Sequence, residues 1–487
     1  MQTIAQKLNA AAAAPVMRNI AAFLEGWIFP AVYAALAFLC SLTGLELIFY
    51  ALTAAAVVFI CLFGKSTKPI AVPLVLVVYS TSWKHTPQPP ENSDFFLQPW
   101  VLGAICALAA AAVGAMLFRL LLCRGQKQGE GAPLLQGGLL ALCAAFLCNG
   151  LFSKEYVLKD FLFGLLIAAS FFAVYFFFTH TYRGKDAAGY FAYTLTLAAS
   201  VIFLQILYAL AFRGVIEGGS IDKDLMIAGW GMSNNFGGML AMFLPAPLYL
   251  AYRCKRGWLL YLYSLVLLAA VACTLSRSAL LTGAVLLASG TVVLAVAKSP
   301  RRTFFRICAA AAVLCAAAAA FLFREQIAEL LSVLFERGWS DSNRFAIWKF
   351  GLDNFLSAPL FGTGFYIQFY GDFGFDIANW VFPDMYHNIL VQVAASCGMF
   401  GLLAYTFHLS GVCTLLTRNG GAASLLYLAV FLGISGASLL DNHIFHVFPA
   451  LVYSLALALW ETDTAGGRLP LYAKSPLCKG RTIFFRR

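Results

Sequence analysis

The sequence predicts an all-α, polytopic transmembrane bundle of about 12–14 spans with one large extracytoplasmic loop. Three observations carry that prediction. Of the 487 residues, 61% are hydrophobic and 11% charged, whereas soluble domains carry about 25% charged residues. Apolar runs of near-spanning length recur along the chain, separated by short polar links. Lysine and arginine then concentrate on alternate links, as the positive-inside rule requires.

In chain order the runs fall near 21–42, 46–63, 69–83, 98–121, 134–150, 160–180, 190–212, 235–252, 257–275, 278–297, 304–323, 388–416, 422–440 and 446–460. A bilayer core needs about 20 helical residues to cross, so the short third run sets the lower end of the span count. Met1 to Ala14 lacks the charged, apolar and cleavage order of a signal peptide, and the first long apolar run starts near Ala21. With the amino terminus in the cytoplasm, the inner links hold 23 of the 33 Lys and Arg but only 5 of the 22 Asp and Glu. Both termini are then cytoplasmic. The net charge of +11 reads as a topology signal, and no nucleic-acid partner is expected.

The chain divides into a transmembrane bundle (1–323), an extracytoplasmic loop with amphipathic helices (324–387), C-terminal transmembrane helices (388–461) and a basic cytoplasmic tail (462–487). The 324–387 insert alone departs from the apolar pattern, and Trp339, Trp348 and Trp380 mark it as ordered. The 213–234 loop, the tight 275–278 turn and the Asp441-Asn442-His443 turn fall on the same outer face. No nucleotide is supplied there, so a reaction on that face needs an already activated substrate. The thirteen cysteines include Cys40, Cys61, Cys143, Cys308 and Cys413 inside apolar runs, where they read as small hydrophobes. No zinc spacing, P-loop or dinucleotide fingerprint occurs, so neither a metal nor a cofactor is expected.

Two residues on the outer face are candidates for chemistry. Arg277, in Ser276-Arg277-Ser278 between two spans, can grip a phosphate with its planar fork, aided by the amino-terminal dipole of the following helix. An arginine snorkelling to lipid head groups explains the same position. His387 closes the insert and can act as a general base, although an ordinary interfacial aromatic fits as well. Asn388 beside it can orient the ring or cap the next helix. Asp441 is a candidate supporting carboxylate. His443 and His446 lie on the same face; His85 sits in an outer loop, and His180 and His408 fall near inner ends.

Within the insert, Arg344 opens an amphipathic segment whose apolar positions Phe345, Trp348, Leu352 and Phe355 recur at helical spacing. Arg344 can meet a charged donor. Tyr366, Tyr370 and Trp380 can stack on sugar rings or pack. The turn Pro359-Leu360-Phe361-Gly362-Thr363-Gly364 follows the helix. In the earlier loop, Gly229 to Gly238 carries Asn234 and Asn235 among glycines. Capping accounts for one asparagine but not for the whole run.

Four patches in order resemble the O-antigen ligase and Wzy-type polymerase family of bacterial membrane glycosyltransferases. They are Gly229 to Asn235, then Ser276-Arg277-Ser278, then Arg344-x-x-x-Trp348 with Pro359-x-x-Gly362-x-Gly364, and finally His387-Asn388-x-x-x-Gln392 with Gly398 and Gly401. The resemblance covers about 220–435. It implies transfer of a glycan from an undecaprenyl-pyrophosphate carrier to a hydroxyl of a glycan, lipid or cell-wall acceptor. The location would be the bacterial cytoplasmic membrane, among its lipids and without metal or nucleotide. By resemblance, Arg277 engages the pyrophosphate and His387 is the base. Arg344, Asn235, Asn388, Ser276, Ser278, Trp348 and Lys223 are the candidate substrate-binding residues. Many relatives carry an arginine before the glycine–asparagine patch; here that place falls near Met226, with Lys223 or Arg213 as substitutes. A lipid-linked glycan flippase without catalysis is the alternative, although such a protein should line a path through the bilayer with polar groups.

Overall fold

All fourteen apolar runs fold as helix, because a backbone in hydrocarbon must satisfy its own polar groups. The computed structural model describes residues 12–86, 94–123, 134–154, 156–182, 186–217, 220–297, 301–322, 324–325, 344–366, 385–418 and 420–465. The helices are α1 (Pro15–Leu24), α2 (Ile28–Thr43), α3 (Glu46–Phe63), α4 (Ala71–Leu76), α5 (Pro99–Cys123), α6 (Gln136–Leu147), α7 (Leu158–Thr181) and α8 (Ala187–Phe212). They continue with α9 (Ser233–Phe243), α10 (Pro245–Arg253), α11 (Gly257–Cys273), α12 (Arg277–Val296), α13 (Arg302–Leu322), α14 (Arg344–Ser357), α15 (Ile389–Arg418), α16 (Ala422–Ala437) and α17 (Val447–Ala465). Two two-residue hairpins, Ile216–Glu217 with Ser220–Ile221 and Ile227–Ala228 with Gly231–Met232, shape the loop before α9.

Among the described residues, six helices are long and apolar enough to cross a membrane alone: α3, α5, α7, α8, α12 and α15. The α1–α2 pair passes together but bends by 73° near Gly26. Shorter helices account for much of the rest, so the expected count of 12–14 matches helical runs rather than independently spanning helices. The run at 69–83 is short because Pro69 and Pro73 limit it to α4 between two 3₁₀ turns. The run at 235–252 divides where Pro245 opens α10.

Contacts between connecting segments bring them together at two ends of the bundle. At one end, Arg253 pairs with Asp186, Glu25 accepts from the Lys65 amide at 2.6 Å, and Tyr427 donates to Asp463 at 2.8 Å. That last bond ties the final turns of α17, which extends to Ala465, to α16. At the other end meet the loop before α9, the 274–276 turn, the 359–364 turn and the 438–446 segment.

The expected single span at 388–416 is broken. Gly398 has φ 64° and ψ −157°, a conformation open essentially to glycine alone. The break frees carbonyls at 395 and 396 and amides at 399 and 400, and the Pro359–Gly364 turn recaptures them. Thr363 and Gly364 amides donate to the Ala395 and Ser396 carbonyls at 2.8 and 3.2 Å, while Met399 and Phe400 amides reach the Pro359 and Leu360 carbonyls at 2.8 and 3.2 Å. Gly150 adds an amide to the Ser396 carbonyl at 3.2 Å. His408, expected near an inner end, is instead buried within α15, its Nε2 2.6 Å from Tyr453 Oη. A Cβ at position 398 would stand 2.5 Å from the Leu360 carbonyl. Gly398→Ala should therefore destabilise the protein by about 1–3 kcal/mol or more, read as a lowered thermal midpoint in detergent.

Candidate functional site

The site is organised by two adjacent glycines on α9. A Cβ on Gly237 would stand 2.7 Å from Thr274 Oγ1 and 2.9 Å from Ser276 Cβ. One on Gly238 would stand 2.5 Å from His443 Nε2. With no side chain at either position, the turn before α12 and the segment before α17 both press onto the same turn of α9. Arg277 and the histidine cluster thereby reach the same end of the bundle.

The 274–278 turn aims the arginine outward. Leu275 takes φ 54°, a left-handed conformation uncommon for a residue with a side chain. Ser276 and Ser278 turn inward, both buried, with hydroxyls 3.4 Å apart. Arg277 is left exposed at the first turn of α12, with no hydrogen bond or ion pair to another described residue.

Opposite, His387 takes φ 52°, again left-handed. Asn388 caps α15: its Oδ1 accepts from the Leu390 and Val391 amides at 2.9 and 3.1 Å, and its Nδ2 donates to the Leu439 carbonyl at 3.0 Å. One side chain therefore fixes the helix start and ties it to the 438–446 segment. His387 Nδ1 lies 3.1 Å from Asp441 Oδ1, and the Asp441 Oδ2 lies 3.7 Å from His443 Nε2. Gln392 completes the frame, accepting from the Tyr386 amide at 2.9 Å and the Asn442 side chain at 3.1 Å while donating to Ser396 at 2.8 Å.

Burial opposes ionisation of Asp441, but the charge of His443, the hydrogen bond and charge of His387 and the Asn442 amide outweigh it. Together they hold the carboxyl below the usual carboxylate range. Burial lowers the pKa of His443, against the pull of Asp441. An ionised Asp441 accepts from His387 Nδ1–H, which selects the tautomer whose Nε2 carries a lone pair. The sequence offered Asp441 as a supporting carboxylate; the contact of His443 with Gly238 was hidden, because nothing in the local sequence pairs position 238 with 443.

The other sequence candidates are placed unevenly. Asn235 Oδ1 accepts from the Met232 amide at 3.0 Å, so it serves the start of α9. Lys223 is exposed in a short 3₁₀ turn. Met226 is fully buried, and the Arg213 guanidinium lies 4.5 Å over the Trp83 ring and donates to the Ile227 carbonyl. Arg213 is thus engaged in holding its own loop. Arg344 opens α14, half-buried.

The side of α14 that meets α15 lies beside its apolar stripe. Ile347 and Gly351 are the buried residues, and a Cβ on Gly351 would stand 2.5 Å from Val391 Cγ1, so close approach to α15 selects that side. Phe345 and Leu352 are exposed, Trp348 and Phe355 half-buried. Trp348 packs beside Ile347 and Tyr386, with its indole Nε1 buried and lacking a hydrogen bond among the described residues. Tyr366 donates its amide to Asp160 at 2.7 Å. Trp339, Tyr370 and Trp380 lie outside the described residues.

The fold and site define a polytopic helical membrane protein carrying an exposed arginine and a carboxylate-held histidine at one end of its bundle. Residues 262–406 match the family model described as O-antigen ligase. The match supports the O-antigen ligase and Wzy-type family, and with it an O-antigen-ligase-like membrane glycosyltransferase activity. Arg277, the α14 helix and His387 all fall inside the matched segment; Gly237, Gly238 and Asp441 fall outside it. No curated protein matches the chain.

Asp441→Asn should leave the fold intact and lower the turnover rate at least about tenfold with little change in KM, through loss of the tautomer. Gly238→Ala should displace the His443 ring and cost at least about tenfold in rate. Initial transfer rates in proteoliposomes, normalised to folded protein, check both.

Proposed function

We propose that the protein transfers a glycan from an undecaprenyl-pyrophosphate carrier to an acceptor hydroxyl on the outer face of the bacterial cytoplasmic membrane. The observation that carries this reading is the convergence on α9: the turn that presents the exposed Arg277 packs across Gly237, and the segment that carries Asp441, the carboxylate holding His387, packs through His443 across Gly238. The charge asymmetry of the connecting segments supports the outer face, with both termini in the cytoplasm.

In this mechanism the donor's diphosphate lies against Arg277, whose guanidinium and the amino terminus of α12 neutralise charge as it develops on the leaving oxygen. His387 Nε2 takes the proton of the acceptor hydroxyl as its oxygen bonds to the anomeric carbon. The bond from that carbon to the carrier oxygen breaks, and its electron pair leaves with the lipid diphosphate. Asp441 holds the imidazole in place and stabilises the imidazolium that forms. Ser276 and Ser278 support the arginine's turn, and Arg344 is placed on an element packed against α15 to meet the charged donor. The diphosphate arrives already activated, so neither nucleotide nor metal enters the scheme.

Purified protein reconstituted with carrier-linked glycan, candidate acceptors and EDTA should yield joined product. Movement of donor between leaflets without joined product would select a flippase instead. His387→Ala should fold normally and lose about 10²–10⁴-fold in transfer rate; wild-type transfer by this variant would end the base assignment.

A further inference from the structure

A long apolar groove of about 650 Å³ runs down the side of the bundle between α10, α12 and α16. Its α12 wall is Leu281, Thr282, Val285, Ser289, Val293 and Ala297, a single helical face that begins one turn below Arg277. Its opposite wall follows α16 to Gly436 and continues through Leu439 and Leu440, immediately before Asp441. Leu281, Val285, Leu432 and Leu439 are each exposed by 45–60%, so the groove opens sideways toward the lipid.

We infer that this groove seats the polyprenyl tail of the donor and sets how long a tail the enzyme requires. The inference rests on the proposed donor class. Continuity selects this occupant: the groove starts where Arg277 and Asp441 bracket the site and descends along α12 itself. A tail attached to a diphosphate at Arg277 enters it without crossing another helix. From Leu281 to Ala297 the wall is about 24 Å long at 1.5 Å per residue, so the groove contacts many isoprene units rather than the first alone.

Its two walls also show where a tail can be cut short. Gly436 lies against Thr282, a Cβ there standing 3.2 Å from Thr282 Cγ2, which aligns the outer ends of α16 and α12. Seven residues further in, about 10 Å, Ser289 on α12 and Ala429 on α16 both line the groove. A tryptophan at either fills the groove at mid-depth and leaves its outer half open.

The test uses full-length protein in proteoliposomes with two synthetic donors bearing the same glycan and diphosphate, one on a short and one on a full-length polyprenyl chain. Ser289→Trp and, from the opposite wall, Ala429→Trp should raise KM for the long-chain donor about tenfold and leave the short-chain donor unchanged. Val285→Trp, nearer the site, should impair both. Val292→Trp, exposed on α12 but outside the groove, should impair neither. Equal effects of the mid-depth variants on both donors, or no effect on either, would overturn the inference; a groove filled only by bulk lipid or a second copy gives that result. Turnover of both donors by wild type in the same assay keeps the function itself separate, since loss there would refute the donor class rather than the groove.

Discussion

A helix that breaks inside a membrane must find partners for the backbone groups it frees, and α15 does so through one neighbouring turn. The residue that makes the break possible is Gly398, in a conformation other residues essentially do not adopt. The exchange with 359–364 is reciprocal: carbonyls before the break accept amides from the turn, and amides after it donate to carbonyls of the turn. Because buried unpaired peptide groups cost about 1–3 kcal/mol each, neither element can leave without the other. The first half of α15 is thereby held as a separate short helix, and Asn388 and Gln392 upon it fix His387 against the segment that carries Asp441.

The chemistry at the other side of the site is held by absence of side chains. Gly237 and Gly238 give up any packing of their own, and in return two turns from distant parts of the chain approach one helix. Left-handed residues with side chains stand beside both contacts: Leu275 in the turn before Arg277, and His387, which is bonded to Asp441 of the second segment. Such conformations persist only where surrounding contacts over-determine them. In both cases those contacts are visible: the buried pair Ser276 and Ser278 behind one, the Asn388 cap and Asp441 behind the other. The arginine is left exposed and without a described partner, as a group awaiting an anion would be, while the histidine is oriented through one ring nitrogen with the second unassigned.

Much of this was legible in the sequence because hydrocarbon imposes a simple rule. Every apolar run became helix, Arg277 emerged at the start of α12 where the near-absent loop had put it, and Asn388 caps α15, one of the two roles its position offered. What was hidden depended on partners distant in the chain. The break at Gly398 looked like part of a continuous span, since periodicity does not report a positive φ. The packing of α14 on α15 was hidden because it depends on Gly351, which has no apolar side chain to signal a buried face but allows close approach to Val391. The bond from the Met232 amide to the Asn235 side-chain oxygen was hidden as well, since periodicity does not report a cap. His408 was placed near a helix end by hydropathy alone, whereas its bond to Tyr453 shows it fully inside the bundle.

The central claim is that Arg277 and His387, 110 positions apart, act on one diphosphate-linked donor. An experimental structure of the protein in a lipid nanodisc with bound polyprenyl pyrophosphate tests it most directly. The account predicts diphosphate density in contact with the Arg277 guanidinium, at the end of the bundle where His387 and Asp441 lie. Diphosphate bound at the opposite end of the bundle, or against Arg277 with His387 turned away beyond reach of any acceptor, would contradict it.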